Sequence, residues 1–487
     1  MQFEPVIGLE IHLQLNSKAK LFCRAASKSI SEPNVNIDYY TFALPGTLPN
    51  LNWEPVEKAL ILALALSCQI QEVSYFDRKH YFYPDLPKGY QITQFYKPFA
   101  VLGVFKYPFQ GRIKEVSIKS IQLEEDAGKS IHDKALNLSL IDLNRAGVPL
   151  VEVITDPCFN SAEEASEFVR FFRNLAKYLD ISEANLEEGS LRVDANVSVR
   201  PATSLTLGTR VEIKNLNSYR FLTQAINFEI GRQIKEITEG REVVRETRGY
   251  NSGGNFTYSL RRKEELADYR YMPDPDLPPL RLPQSKILEV QSKLPILPMQ
   301  TFDELVNNWM VPVEDAIAIS YDRAFTRILR ELIDMGVLPK IAVNYLVNDI
   351  QGILNEFNLE SSKVVFPTPK IAELCKLYQE GKISSKTVKA YIRRLLLDDP
   401  RMNVIETIQA EGLLLEKVDR LDQVLEPVLN ELREVIDEIK NEPDKSKTHV
   451  KKKFGFLVGQ VLRKMPNLDP RAVSEHLRQL VGLDEES

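Results

Sequence analysis

Val6-Ile-Gly-Leu-Glu-Ile-His-Leu-Gln-Leu15 alternates with period two: Leu9, Ile11, Leu13 and Leu15 fall on one side, and Glu10, His12 and Gln14 on the other. This rhythm predicts a strand with one buried face, and it sets a carboxylate beside an imidazole on the opposite face. Taken alone, such a face reads as ordinary solvated strand surface. The same rhythm returns in Arg192-Val-Asp-Ala-Asn-Val-Ser-Val-Arg200, where Val193, Ala195, Val197 and Val199 oppose Arg192, Asp194, Asn196, Ser198 and Arg200. Val211-Glu-Ile-Lys-Asn repeats it with Glu212 and Lys214. A strand through Ile121 and Leu123 ends in Glu124-Glu125-Asp126, and Val151-Glu152-Val153-Ile154 carries one glutamate in an apolar run. The period then changes. Ser161 with Glu164 forms a capping-box pattern, and Ala165, Phe168, Val169, Phe172, Leu175, Ala176 and Leu179 follow at helical spacing. Such a helix needs a sheet to lie on, so the fold class is α+β.

The wider chain sets the limits on that fold. With 487 residues it should hold about three domains. Seven of its 28 prolines lie between Pro273 and Pro298, a density that breaks regular structure and marks a connector. Helical spacing dominates beyond it. A further unit begins near residue 408, where 411–440 hold nine acidic and four basic residues and 441–465 hold seven basic and two acidic. The expected domains are therefore 1–292, 293–407 and 408–487. A net charge of −6 with a 44% hydrophobic fraction excludes disordered and fibrous classes. The longest apolar run, Ala59 to Leu66, is far short of the ~20 residues that cross a bilayer, so no membrane span is expected. Strand-like alternation starts by Val6 and leaves no room for a leader, which points to a cytoplasmic location. Cys23, Cys68, Cys158 and Cys375 are scattered, without a CxxC pair, and read as reduced thiols.

A lone carboxylate in an apolar strand is costly unless it is paired or binds a metal. If these strands share a sheet, Glu10, His12, Glu125 and Glu152 converge as a mixed oxygen and nitrogen site suited to Mg²⁺ or Mn²⁺. Ion pairs with Arg145 or Arg192 explain the same residues equally well. Between them in sequence, the loop from Arg78 to Gln91 is rich in cations and aromatics. It can present Lys79 or Lys88 to phosphates and Tyr81 or Tyr83 to a base or ribose. Its plain alternative is a surface hairpin. Gly128-Lys129 lacks the spacing of a Walker A loop. Ser384-Ser385-Lys386 sits where a helix starts and is read as a cap, not a nucleophile. No covalent nucleophile is evident. In the tail, His449-Val-Lys-Lys-Lys opens a basic helix that can meet a phosphate backbone, although a solvated charge run is the usual explanation.

Taken together, several strings resemble the GatB family, which supplies one chain of the aspartyl/glutamyl-tRNA amidotransferase complex GatCAB. The most specific are Val6-Ile-Gly-Leu-Glu-Ile-His12, Tyr81-Phe-Tyr-Pro-Asp-Leu-Pro-Lys-Gly-Tyr-Gln91 and Leu123-Glu-Glu-Asp-Ala-Gly-Lys129. With them go Asn144-Arg-Ala-Gly-Val-Pro-Leu150, Glu187-Glu-Gly-Ser-Leu-Arg-Val-Asp-Ala-Asn-Val-Ser198 and Lys214-Asn-Leu-Asn-Ser218. Asp268-Tyr-Arg-Tyr-Met-Pro-Asp-Pro-Asp-Leu277 and Gly455-Phe-Leu-Val-Gly-Gln-Val461 extend the resemblance over essentially the whole chain.

The resemblance implies a cradle-like catalytic domain around an antiparallel sheet, an all-α helical domain and a YqeY-like tail that recognises tRNA. It implies that the side-chain carboxylate of Glu-tRNA(Gln) or Asp-tRNA(Asn) is phosphorylated by ATP and then amidated by ammonia. The glutaminase chain, GatA, supplies that ammonia from glutamine, and the small chain, GatC, completes the heterotrimer. Carried over residue by residue, Glu10, His12, Glu125 and Glu152 are the expected ligands for Mg²⁺ or Mn²⁺, with Glu124 a further participant in catalysis. Lys79, Tyr81, Asp194 and Glu212 are expected around the nucleotide and the acceptor end, and Lys451, Lys452 and Lys453 against tRNA. One departure stands out. Many members hold zinc through Cys-x-Cys and Cys-x-x-Cys, whereas here Cys23 is joined by Ala25, Asp38 and Thr41, so no structural zinc is expected. The rival class is a catalytically silent tRNA-binding scaffold. A synthetase has no support, because neither HIGH nor KMSKS is present.

Overall fold

A computed structural model describes all residues except 1, 29, 31, 134, 136, 215, 263–268, 416–420, 443–447, 466, 467, 469 and 484–487. Asp268, Lys445 and Lys447 therefore lie outside the described residues. The chain divides into two compact units, Met1–Gln300 and Thr301–Ser487.

The first unit mixes both structure types. Its strands are β1 (Phe3–Gln14), β2 (Gln69–Ile70), β3 (Val73–Ser74), β4 (Asp77–His80), β5 (Tyr90–Thr93), β6 (Ala100–Phe109), β7 (Arg112–Glu125) and β8 (Lys129–Asp133). They continue as β9 (Leu138–Asp142), β10 (Pro149–Thr155), β11 (Leu191–Pro201), β12 (Val211–Lys214), β13 (Glu246–Asn251), β14 (Phe256–Arg262), β15 (Met272–Pro273) and β16 (Leu280–Arg281). The helices are α1 (Trp53–Ala65), α2 (Ala162–Tyr178), α3 (Tyr219–Thr238) and α4 (Gln284–Ser292).

Nine strands form one sheet in the order β14-β13-β12-β11-β1-β10-β7-β6-β2. The opening strand thus sits at its centre, between β11 and β10. The sheet is antiparallel apart from β12 and β13, which run parallel. A parallel pair needs a long crossover, and α3 supplies it. That junction departs from the wholly antiparallel expectation. A smaller sheet, β15-β4-β5, carries the cationic and aromatic segment.

Period-two patterning buries one face of the large sheet completely: Ile7, Ile11, Leu13 and Val197 are all 0% exposed. Helix α2 packs there, with Phe168 meeting Phe105, Tyr107 and Phe159 at ring separations of 5.6, 6.0 and 5.1 Å. Ser161 Oγ caps α2 by accepting the Glu164 amide at 3.1 Å. The Glu164 carboxylate reaches back to the Asn160 amide at 3.2 Å, so the expected capping box closes one residue early. On α3, Gln233 Nε2 donates to the Val197 carbonyl at 3.1 Å. The opposite face of the sheet is left to the polar residues.

The second unit is helical among its described residues. Ser384 caps the helix Ser385–Leu397 through the Thr387 amide at 3.1 Å, as the spacing predicts. Leu425, Ile439, Val450, Leu457, Val461, Val473 and Leu477 build a separate small core toward its end. On the helix Thr448–Lys464, Lys451 and Lys452 are exposed. Lys453 is committed to Glu438 at 2.7 Å. Among the described residues no helix is long and apolar enough to cross a membrane.

Candidate functional site

Antiparallel neighbours share a face, so register decides what surrounds His12. It stands opposite Glu152 of β10 and Arg192 of β11, while Glu10 stands opposite Asp194. From β7, Gln122 stands opposite Glu152, and Glu124 follows two residues later on that same face. The His12 Nε2 atom consequently lies 3.6 Å from a Glu152 oxygen, 3.8 Å from one of Glu124 and 4.0 Å from one of Glu10. Thr93 Oγ1 and Gln91 Nε2 of β5 donate to the two oxygens of Glu124 and fix its orientation.

Three carboxylates this close cannot all remain ionised without compensation. Burial, reinforced by the Glu124 and Glu10 carboxylates, holds Glu152 well above the usual carboxylate range. Burial acts on Glu10 in the same sense, but His12 and a hydrogen bond from Glu152 outweigh it and draw its pKa down.

The ion-pair explanation requires Arg145 or Arg192 at these carboxylates, and both turn elsewhere. Arg192 Nη2 binds Asp126 Oδ2 at 2.9 Å, and Arg145 Nε approaches the same oxygen at 3.6 Å. Gln14 Nε2 also donates to that oxygen at 2.8 Å. Among the described residues, no lysine or arginine nitrogen lies within 4.0 Å of the Glu10, Glu124 or Glu152 carboxylates. Octahedral Mg²⁺ at ~2.1 Å from each ligand places neighbouring donor atoms about 3 Å apart and opposite ones about 4.2 Å apart. The spacings around His12 fall inside that span, and the donors are the hard oxygens and single imidazole that such an ion accepts. Glu10, His12 and Glu152 therefore fit a divalent cation, with Glu124 beside them.

Glu125 does not join them. Its carboxylate pairs with the Lys88 ammonium and accepts the Ile92 amide at 3.2 Å. The reason is the strand period: Ile121, Leu123 and Glu125 share one side of β7, and Gln122 and Glu124 the other. The expectation that Glu125 converges on His12 is corrected on this geometry; Glu124 is the member of the pair that lies beside His12.

A cavity of about 320 Å³ opens over the polar face, lined among others by Glu10, His12, Lys79, Tyr81, Asp194, Arg192 and Lys214. Lys79, Tyr81 and Asp194, expected around the nucleotide and the acceptor end, are thus together on the wall of this cavity. Burial works against the Lys79 ammonium, but Glu124 and Glu152 raise its pKa well above the usual lysine value. Glu212 is buried and bound to Lys214 at 3.3 Å and to Thr247 Oγ1 at 2.8 Å, so it supports the cavity without lining it. Lys214 also holds Asp194 at 2.5 Å. Its charge offsets part of this second acidic group, formed by Glu10, Asp194 and Glu212, through contacts to the latter two.

Sequence reasoning missed Arg192, Lys214, Asp126 and Gln91 as cavity residues. The alternation that puts Asp194 on the polar face also puts Arg192 there, and Lys214 keeps the phase of Glu212, so those two were within reach. Asp126 depends on where β7 ends beside Gln14 of β1, and Gln91 on how β5 lies against β7, which no local pattern shows.

Around Cys23, the Asp38 and Thr41 side chains are tied by hydrogen bonds. Asp38 Oδ1 accepts the Thr41 amide and hydroxyl, each at 2.9 Å, and Cys23 Sγ lies 3.8 Å from Thr41 Oγ1. Burial pushes the Cys23 thiol up to about 11, so it stays protonated at neutral pH and is a poor ligand. Metal analysis of the purified chain is expected to find no tightly held zinc. Asp38→Ala is expected to lower stability by roughly 1–3 kcal/mol in denaturant titration, because it leaves the Thr41 donors unmatched. One zinc per chain would overturn this account of the segment.

A family model described as GatB/GatE catalytic domain matches residues 5–288, and one described as GatB domain matches residues 325–481. The chain is 39% identical over 487 residues to the B subunit of aspartyl/glutamyl-tRNA(Asn/Gln) amidotransferase from Synechococcus sp. (strain JA-2-3B'a(2-13)), covering 98% of each. It is 40% identical over 486 residues to the protein of the same name from Campylobacter jejuni subsp. doylei, covering 99% of this chain and 100% of that one. The Persephonella marina protein of that name is 38% identical over 487 residues, covering 99% and 100%.

Proposed function

Since the chain belongs to the GatB family of tRNA-dependent amidotransferases, we propose that its His12 cluster is the centre where the side-chain carboxylate of a misacylated tRNA is activated by ATP before ammonia replaces the phosphate. The chain acts in tRNA-dependent amidation as one component of a glutamine-dependent amidotransferase. The substrates in this reading are Glu-tRNA(Gln), Asp-tRNA(Asn) or both. The partners are GatA and GatC, the other two chains of the heterotrimer. We assign catalysis to domain 1–292 and tRNA recognition to 408–487, with the helical domain 293–407 between them in sequence.

The observation that carries the proposal is the convergence of three carboxylates on one imidazole, with no described lysine or arginine nitrogen within 4.0 Å of them. The chemistry follows from the substrate. A carboxylate is a poor acyl donor to ammonia, and its conversion to an acyl phosphate supplies the missing leaving group. Glu10, His12 and Glu152, with Glu124 alongside, would hold Mg²⁺, which when bound offsets negative charge on the transferring phosphoryl group. Around that centre the chain's own residues bind and orient. Lys79 brings a retained positive charge to the cavity wall beside Tyr81. Lys214 fixes Asp194, and Asp126 locks Arg192 against the strand that carries His12. The thiols offer no ready nucleophile: Cys68 and Cys375 are buried, and burial raises both to about 12.

Hydroxylamine tests the sequence of steps. Added in place of glutamine to the complete complex with misacylated tRNA and ATP, it should trap the activated side chain as a hydroxamate. Amidation that proceeds without ATP, or a complete lack of hydroxamate while amidation runs, would sink the proposal.

A further inference from the structure

The segments that flank the three-stranded sheet β15-β4-β5 carry a connected series of aromatic rings that starts in the cavity and ends on the surface. Tyr81 lines the cavity and stands 5.7 Å from Tyr83 and 6.4 Å from Tyr269, centroid to centroid. Tyr269 leads to Tyr271 at 5.9 Å, and Tyr271 stacks on Phe95 at 4.0 Å with only 12° between planes. Tyr96 closes the series at 5.2 Å from Phe95. Core packing does not account for Tyr83 and Tyr96, which are 57% and 62% exposed. Cations are interleaved with them: the Lys79 ammonium lies 5.1 Å above Tyr269, and the Arg270 guanidinium 5.8 Å from Phe82.

We infer that this aromatic track is the docking surface for the unpaired 3′ nucleotides of the tRNA whose aminoacyl group enters the cavity, an inference that rests on the function proposed above. A protein that acts on a group attached to the last nucleotide must let the preceding ones out along some wall. Flat π faces alternating with positive charge are what single-stranded nucleic acid selects, because every base can stack and every phosphate needs a counter-charge. The track is continuous with the cavity through Tyr81, and its charge is complementary to a phosphate chain. Duplex RNA has no unstacked bases to offer such rings, so the track belongs to the single-stranded end.

The test uses the full chain in its complete amidotransferase complex, with two tRNAs: one intact and labelled with 2-aminopurine in its unpaired 3′ segment, the other cut back to the last base pair. Intact tRNA should bind with quenching of the label. Tyr271→Leu and Tyr83→Leu keep apolar bulk but lose the stacking face. Each should weaken intact tRNA roughly tenfold, relieve the quenching, and leave the truncated tRNA unaffected. Binding of Mn²⁺ at the unaltered His12 cluster verifies that the variants are folded. Equal weakening of both tRNAs, or no weakening of either, overturns the proposal and assigns the patch to a protein partner or to packing. A wild-type complex that binds intact tRNA without quenching rejects the track alone. One that binds neither tRNA rejects the proposed function with it.

Discussion

His12→Ala is expected to lower tRNA-dependent ATP hydrolysis and amidation by roughly 10³-fold or more, while glutamine hydrolysis by GatA continues. The imidazole lies within 4.0 Å of all three carboxylates, so its loss removes a ligand from the centre of the cluster. Unchanged ATP hydrolysis in this variant would eliminate the site. A second pair of variants separates the two adjacent glutamates. Glu124→Gln should weaken Mn²⁺ binding, followed by calorimetry, with little change in folding stability. Glu125→Gln should leave the ion bound and instead cost about 3–5 kcal/mol of stability, because it strands Lys88 as a buried charge with its partner gone. If Glu125→Gln abolished Mn²⁺ binding at unaltered stability, the ligand assignment would revert to Glu125.

The second large effect concerns the tail. Ending the chain near residue 408 removes its small hydrophobic core together with the basic helix Thr448–Lys464. The KM for tRNA should rise by about tenfold or more while kcat changes little, since the described tail carries no carboxylate cluster like that around His12. Charge reversal at Lys451 and Lys452 should weaken binding and flatten its salt dependence, because fewer counterions are released. Lys453 should contribute less to that slope than its neighbours, being held by Glu438. A collapsed kcat with unchanged KM would make the tail catalytic. Loss of melting temperature with an unaltered salt slope would make it structural.

The difference between adjacent glutamates also shows where sequence and structure part. Alternation through Ile121 and Leu123 already places Glu125 in the apolar phase and Glu124 in the polar one. Resemblance to a family favoured the other member of the pair, and local period two, followed strictly, would have corrected it. The helix after Ser161 and the cap at Ser384 were equally legible, because capping and amphipathic spacing are short-range and act within a turn or two. The parallel junction of β12 with β13 was not, since it depends on how α3 carries the chain back across the sheet.

By itself the sequence determined the strands that carry Glu10, His12, Glu124, Glu152 and Asp194, the apolar face of each, and the helix after Ser161 that lies on them. Those properties follow from side-chain periodicity and composition. Tertiary structure alone decided which strands became neighbours, and therefore that Glu10, Glu124 and Glu152 meet at His12 while Arg145 and Arg192 go to Asp126. Strand order and register bring residues more than a hundred positions apart to within 4 Å, and local spacing carries no information about such pairings.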